Sequence, residues 1–169
     1  MPVWAPITAG RVPADLFEWL SSRDSLTARC RKFNGDSYRF VKLTDQQQTI
    51  TEEDAGYLQI TVGARVTVRE ILHQGKAIEV YGRSVLTDSV LKYLSDLKEK
   101  QPLGELLFAS DSPFVRSEIE VARLARNHAL FQSASVSLKP AEYWARRSIF
   151  KVKNTEAKLA VYEVFRQRP

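Results

Sequence analysis

Period-two alternation of apolar and other residues is clearest at the C-terminal end of the chain. From Lys158 to Arg166 it places Leu159, Val161, Glu163 and Phe165 on one face and Ala160, Tyr162 and Val164 on the other. Trp144 to Val152 precedes this segment, with Asn154-Thr-Glu-Ala between them, and the two read as a β-hairpin. A second hairpin is predicted where Arg65–His73 and Ala77–Leu86 flank Gln74-Gly75-Lys76. Ser37 to Leu43 reads as a further strand, and the Gln-rich stretch through Asp54 as a loop or weak hairpin.

Helical spacing appears at Ala14 to Ser22, after Pro13, with Leu16, Phe17 and Leu20 on one side. Asp24 or Ser25 can cap a second helix, Leu26 to Phe33, which Asn34-Gly35 ends. The pair is a helix-turn-helix hairpin in the structural sense. Ser89 to Lys100 is predicted helical, with Val90, Leu91, Tyr93, Leu94 and Leu97 along one stripe and Pro102-Leu-Gly104 as a break. Arg116 to Phe131 reads as a half-buried basic helix, with Arg116, Arg123 and Arg126 among Ile119, Ala122 and Leu130. Helices interspersed with antiparallel strand pairs argue for an α+β fold with a central antiparallel sheet.

At 169 residues, 44% hydrophobic and 27% charged, the chain is expected to form one soluble domain over residues 1–169. No apolar run approaches the roughly 18 residues of a membrane span. Met1-Pro-Val-Trp-Ala-Pro lacks the basic and apolar regions of a signal peptide. The single Cys30 cannot form an internal disulfide, which favours a reducing compartment. These features place the protein in the cytoplasm, without stable membrane insertion. The net charge of +5 favours small anionic ligands. It is also compatible with nucleic acid, but the basic residues are scattered and no base-reading helix stands out, so no nucleic-acid partner is expected.

The motifs for several chemistries are missing. His73 and His128 lie far apart and, with one Cys, make no spaced metal-ligand set. Neither a nucleophile elbow nor a phosphate-binding glycine loop occurs. An enzyme built from this chain would work by positioning and electrostatics, through Arg, Glu and backbone amides. Glu163 is the first candidate, because a carboxylate on an apolar strand face costs several kcal/mol, roughly, unless paired or hydrogen-bonded. Arg69, between Thr67 and Ile71 in mid-strand, is the second. The residues alone leave both roles open. Arg69 can be an ion-pair partner of Glu70 or Glu163 or a ligand anchor, and Glu163 can bond core Tyr or Trp atoms or a ligand. Arg83 and Arg147 also interrupt strands and suit salt bridges at the sheet rim.

Five segments together resemble the chorismate pyruvate-lyase family. They are Asp24-Ser-Leu-Thr27 with Arg29 and Phe33; Val68-Arg-Glu-Ile-Leu72; Gly82-Arg-Ser-Val85; Pro102-Leu-Gly-Glu-Leu-Leu-Phe108; and Trp144-Ala-Arg-Arg-Ser148 with Tyr162-Glu-Val-Phe165. Their order and spacing carry the match, which is poorest at 44–65 and in an enlarged stretch from 111 to 141. The resemblance implies helices packed on the sheet and helix-turn-helix flaps over a buried ligand pocket. It implies conversion of chorismate to para-hydroxybenzoate and pyruvate, the entry to the ubiquinone ring, with no cofactor and no metal. It further implies that Arg69 grips the ring carboxylate, that Glu163 hydrogen-bonds near the ring hydroxyl, and that Leu26 and Leu103 contact product from the flaps. Leu26 departs from the Met common in the family. The expected partners are chorismate and para-hydroxybenzoate, bound by a monomer.

The chemistry fits such a site. A planar guanidinium meets a carboxylate bidentately, and Leu26 and Leu103, beside Gly104, can offer apolar cover and backbone N–H groups. In chorismate the hydrogen on the hydroxyl-bearing carbon shares a ring face with the enolpyruvyl ether. A six-membered cyclic shift can carry it to the ether's methylene carbon without an obligatory acid or base. The alternative is a non-catalytic aromatic-acid sensor of the same fold, as in effector domains of bacterial regulators. Such a regulator would carry a DNA-binding domain ahead of the match, which begins here by about residue 15.

Overall fold

The computed structural model describes residues 1–97, 101–135 and 142–167. In chain order these contain β1 (Ala5–Pro6), α1 (Ala14–Ser21), α2 (Leu26–Asn34), β2 (Arg39–Thr49), α3 (Glu52–Leu58), β3 (Arg65–Gln74) and β4 (Glu79–Thr87). After them come α4 (Asp88–Leu91), α5 (Leu103–Leu107), β5 (Phe114–Arg116), β6 (Glu120–Ala125), α6 (Ala129–Ala134), β7 (Glu142–Val152) and β8 (Lys158–Gln167). The strands make one antiparallel sheet in the order β1-β6-β7-β8-β4-β3-β2, with β5 also paired to β7. The α+β class and both predicted hairpins, β3–β4 and β7–β8, are present.

Alternation along the strands sorts side chains onto two faces. On one face Val66, Val68, Leu72, Tyr81, Val85, Tyr162 and Val164 join a core with Ala55 and Leu58 of α3 and Leu130 and Phe131 of α6. On the other face there are two apolar clusters. Leu16, Trp19 and Leu20 of α1 and Leu26 and Cys30 of α2 pack with Val80, Val121 and Phe165. Val90 and Leu94 around α4 and Leu107 of α5 pack with Leu86, Phe150 and Leu159. The polar residues of β3, β4, β7 and β8 on this face lie between the two clusters.

The α1–α2 hairpin follows the expected signals. Ser25 accepts from the Ala28 N–H as the N-cap of α2, and Gly35 terminates that helix at φ 54°, a left-handed value suited to glycine. Asn34 fastens the hairpin to the β3–β4 turn: its Oδ1 accepts from the N–H groups of Ala77 (2.9 Å) and Ile78 (3.0 Å), and its Nδ2 donates to the Ile78 carbonyl (3.0 Å).

Three expectations are corrected. Residues 116–131 do not form one helix: Arg116 closes β5, β6 follows, and only Ala129–Ala134 is helical. The apolar residues 119, 122 and 130 mimic helical spacing, but 120–125 pair residue for residue with β7, and side chains there alternate between the two faces. The Gln-rich stretch through Asp54 is the second half of β2, paired with β3 as far as Thr49↔Arg65, followed by the start of α3, which Thr51 caps. The polar side chains of β2 suit a strand at the sheet edge. The helix expected over Ser89–Lys100 is shorter, because α4 gives way to a 3-10 turn at Lys92–Leu94; residues 98–100 lie outside the described residues. So do 136–141, the end of the enlarged stretch.

Candidate active site

Glu163 sits on β8 opposite Gly82 of β4, which in turn is opposite Ile71 of β3. These three residues form part of the floor of a small cavity, about 50 Å³ in volume. A Cβ at Gly82 would come within 2.8 Å of Ile71 Cδ1, so glycine keeps this part of the floor low. Phe40, His73 and Ser84 extend the floor, and Arg116, Phe150 and Val161 continue it toward β7. The cover comes from two helices. Leu26 and Thr27 open α2, and Pro102, Leu103, Gly104, Leu107 and Phe108 surround α5. The two helices approach closely: a Cβ at Gly104 would lie 3.1 Å from Thr27 Oγ1, and Arg31 of α2 pairs with Glu105 of α5 at 2.8 Å.

Leu26, Leu103 and Glu163 therefore converge on one cavity. Arg69 flanks it without lining it. It shares the face of β3 that carries Ile71 and His73 and pairs with Ser84, yet its Nη2 donates to the Gln101 carbonyl at 2.5 Å, just ahead of α5. It is 3% exposed. Burial lowers the pKa of its guanidinium, and Asp45 partly offsets that. Glu70, the next residue along β3, points to the opposite face, where its carboxylate accepts from Tyr81 and Thr44.

Glu163 is held by arginines. Arg146 of β7 donates to it through Nε, and Arg116 Nη2 stands 3.8 Å away. Burial pushes the Glu163 carboxyl up, but the charges of Arg146 and Arg116 outweigh it and keep the group below its ordinary value. Arg146 is 1% exposed and reaches across to the end of α1, where its Nη1 donates to the carbonyls of Trp19 (2.8 Å) and Ser22 (2.8 Å). Helix C-terminal carbonyls attract such a cation. His73 bonds Tyr38 Oη through Nδ1 at 2.9 Å, and burial pulls its pKa down to about 4, so its ring is neutral near pH 7.

Arg83 and Arg147 serve the opposite face. Arg83 makes a two-pronged pair with Asp54 (3.0 and 2.8 Å). Arg147 binds Glu120 at 2.7 Å and stacks over Tyr57 and Trp4. Among the described residues no three His, Cys, Asp or Glu side chains converge as a metal-ligand set. No helix among them is long and apolar enough to cross a membrane.

Sequence reasoning missed Arg146, Arg116 and His73 as neighbours of the cavity. For Arg146 a signal existed: alternation puts Trp144, Arg146, Ser148 and Phe150 on one face of β7, the face shared with Glu163. For Arg116 there was none, because a helical reading of 116–131 hides which strand it joins.

The arrangement is a mostly apolar slot with an ionised carboxylate at one side and a buried guanidinium at its flank. A family model described as chorismate lyase matches residues 3–168. The protein named probable chorismate pyruvate-lyase from Pseudomonas putida is 36% identical over 142 residues, covering 79% of this chain and 72% of its own. Its namesake from Aromatoleum aromaticum is 33% identical over 164 residues, covering 92% and 86%. Among solved structures, the PhnF C-terminal domain superposes with TM-score 0.59 at 13% identity, covering 80% of this chain and 86% of that one. A GntR-family transcriptional regulator from Bacillus cereus gives 0.57 at 10%, covering 77% and 92%. These two share the fold.

Proposed function

The chain belongs to the chorismate lyase family, and we propose from that premise that it cleaves chorismate to para-hydroxybenzoate and pyruvate. The observation that carries the proposal is the convergence of Leu26, Leu103 and an ionised Glu163 on one helix-covered cavity, with Arg69 at its flank. Arg69 grips the ring carboxylate in place of the Gln101 carbonyl. Leu26 and Leu103 are the first residues of α2 and α5, where N–H groups have no intrahelical partner. They add backbone donors and apolar cover at that end of the ring.

Glu163, acceptor-only when ionised, takes a hydrogen bond from the ring hydroxyl and fixes the ring's rotation. The hydrogen on the hydroxyl-bearing carbon then moves to the methylene carbon of the ether. The ring C–O bond breaks, pyruvate leaves with the new methyl group, and the ring becomes aromatic. Aromatisation supplies the driving force, so the protein contributes geometry and exclusion of water. The cavity, at about 50 Å³, is smaller than the ~150 Å³ that accepts benzene in an engineered core. Ligand entry therefore requires α2 and α5 to part, the kind of lid motion that gates turnover in many enzymes.

The protein acts as a single cytoplasmic domain and a monomer, and its product enters ubiquinone ring synthesis. The deciding experiment is to incubate purified protein with chorismate in the absence of added metal and assay both products. Stoichiometric para-hydroxybenzoate and pyruvate are expected. No product from folded protein that still binds para-hydroxybenzoate would make it a binding module instead.

A further inference from the structure

We infer that Arg116 anchors the second carboxylate of the substrate, the one on the enolpyruvyl ether, and thereby separates the dianionic substrate from the monoanionic product. The inference rests on the reading of the cavity as the chorismate site. With the ring carboxylate at Arg69 and the para hydroxyl at Glu163, the ether springs from the ring carbon next to the hydroxyl. Its carboxylate must then fall at the Glu163 end of the cavity, away from Arg69.

Arg116 is the arginine that lines the cavity at that end. Arg146 is committed elsewhere, through Nε to Glu163 and through Nη1 to the end of α1. Arg116 is held more loosely. Its Nε donates to Ser148 Oγ at 2.9 Å, but Nη1 reaches the Ser22 carbonyl only at 3.4 Å and Nη2 stands 3.8 Å from Glu163, beyond hydrogen-bond range. Fixing Nε while leaving the outer nitrogens in long contacts orients the fork and keeps its donors available. The rings of Phe108 and Phe150, 5.9 and 5.2 Å from the guanidinium carbon, hold it in apolar surroundings that strengthen a charge-assisted bond.

Charge balance points the same way. Two guanidiniums, Arg116 and Arg146, share the one carboxylate of Glu163, leaving one positive charge in excess beside the cavity. A buried excess charge is costly unless an anion meets it. Burial lowers the pKa of Arg116 to about 10, which leaves it charged at neutral pH. Para-hydroxybenzoate has a single carboxylate, taken by Arg69, and brings nothing to Arg116; chorismate does.

The test compares two ligands on two variants, Arg116→Gln and Arg116→Lys. Steady-state kinetics gives KM and kcat for chorismate, and calorimetry gives Kd for para-hydroxybenzoate. Arg116→Gln is expected to raise KM for chorismate by about tenfold or more, with product Kd within about twofold of the parent. Arg116→Lys, keeping charge but losing the fork, should fall between them. Equal weakening of both ligands would mean that Arg116 supports the cavity as a whole, and unchanged chorismate affinity would remove the anchor; either overturns the inference. Should Arg116→Gln fail to fold, Arg116→Lys decides by the same two ratios. If the parent protein binds chorismate without turning it over, the lyase reading fails separately, and chorismate Kd by calorimetry replaces KM in the comparison.

Discussion

Arg146 on β7 and Glu163 on β8 face each other directly in the sheet, and the first donates through Nε to the carboxylate of the second. The same guanidinium closes onto the last carbonyls of α1. One side chain thus joins the candidate catalytic carboxylate to the hairpin that covers it. Breaking a buried pair costs about 3–5 kcal/mol when the other charge is left alone. Glu163 would keep the 3.8 Å contact with Arg116, which puts the cost toward the lower end, about 3 kcal/mol. Arg146→Ala should lose about that much in denaturant unfolding, and Arg146→Lys should regain part of it. A loss below about 1 kcal/mol would show that the pair is not what holds the hairpin to the sheet.

Arg69 should govern the affinity of both substrate and product. A charge-assisted hydrogen bond is worth ~1.5–3 kcal/mol, so Arg69→Ala is expected to weaken para-hydroxybenzoate at least about tenfold by calorimetry. Arg69→Lys should recover only part, lacking the planar fork. An Arg69→Ala variant that binds product as well as the parent would make Arg69 a structural residue, not a ligand anchor.

The hydrogen transfer can be followed by isotope. Chorismate deuterated at the hydroxyl-bearing carbon should deliver its label to the methyl group of pyruvate, read by mass spectrometry after an early quench. Glu163→Gln keeps an acceptor oxygen and should lower kcat without abolishing turnover. Label lost to solvent, together with complete inactivity of that variant, would make Glu163 a general base.

His73 gives the fold a defined acid sensitivity. Burial drops its pKa from the ordinary 6.5 to about 4, so the unfolded chain takes up a proton below pH 6.5 that the folded chain refuses. Above pH 6.5 the residue contributes nothing to the pH dependence. Stability should fall as pH drops from about 6.5 to about 4, by on the order of 3 kcal/mol at most. Glu163 acts in a lower window. Its depressed pKa contributes stability above the ordinary carboxylate value, which is lost as pH falls through the folded one. Urea unfolding between pH 7 and 5 separates the two, because His73→Leu should flatten the slope there. An undiminished slope in that variant would place the sensitivity elsewhere.

Features that depend on neighbours along the chain were legible in the residues. Period-two alternation set both hairpins and put Glu163 on an apolar face, and the cap and stop signals at Ser25 and Gly35 set the α1–α2 hairpin. Those signals act over one turn or one strand, so they survive without knowledge of the fold. The remaining features depend on contacts between segments far apart in the chain. Arg116 belongs to a strand because β7 offers it a ladder across the sheet, which outweighs a fortuitous helical spacing. Arg69 meets Gln101 and Arg146 meets the end of α1 because distant segments pack on the same face. The charge state of Glu163 depends on two arginines contributed by separate strands. Burial raises its pKa and those two charges lower it, so the outcome follows from distances that no local pattern contains.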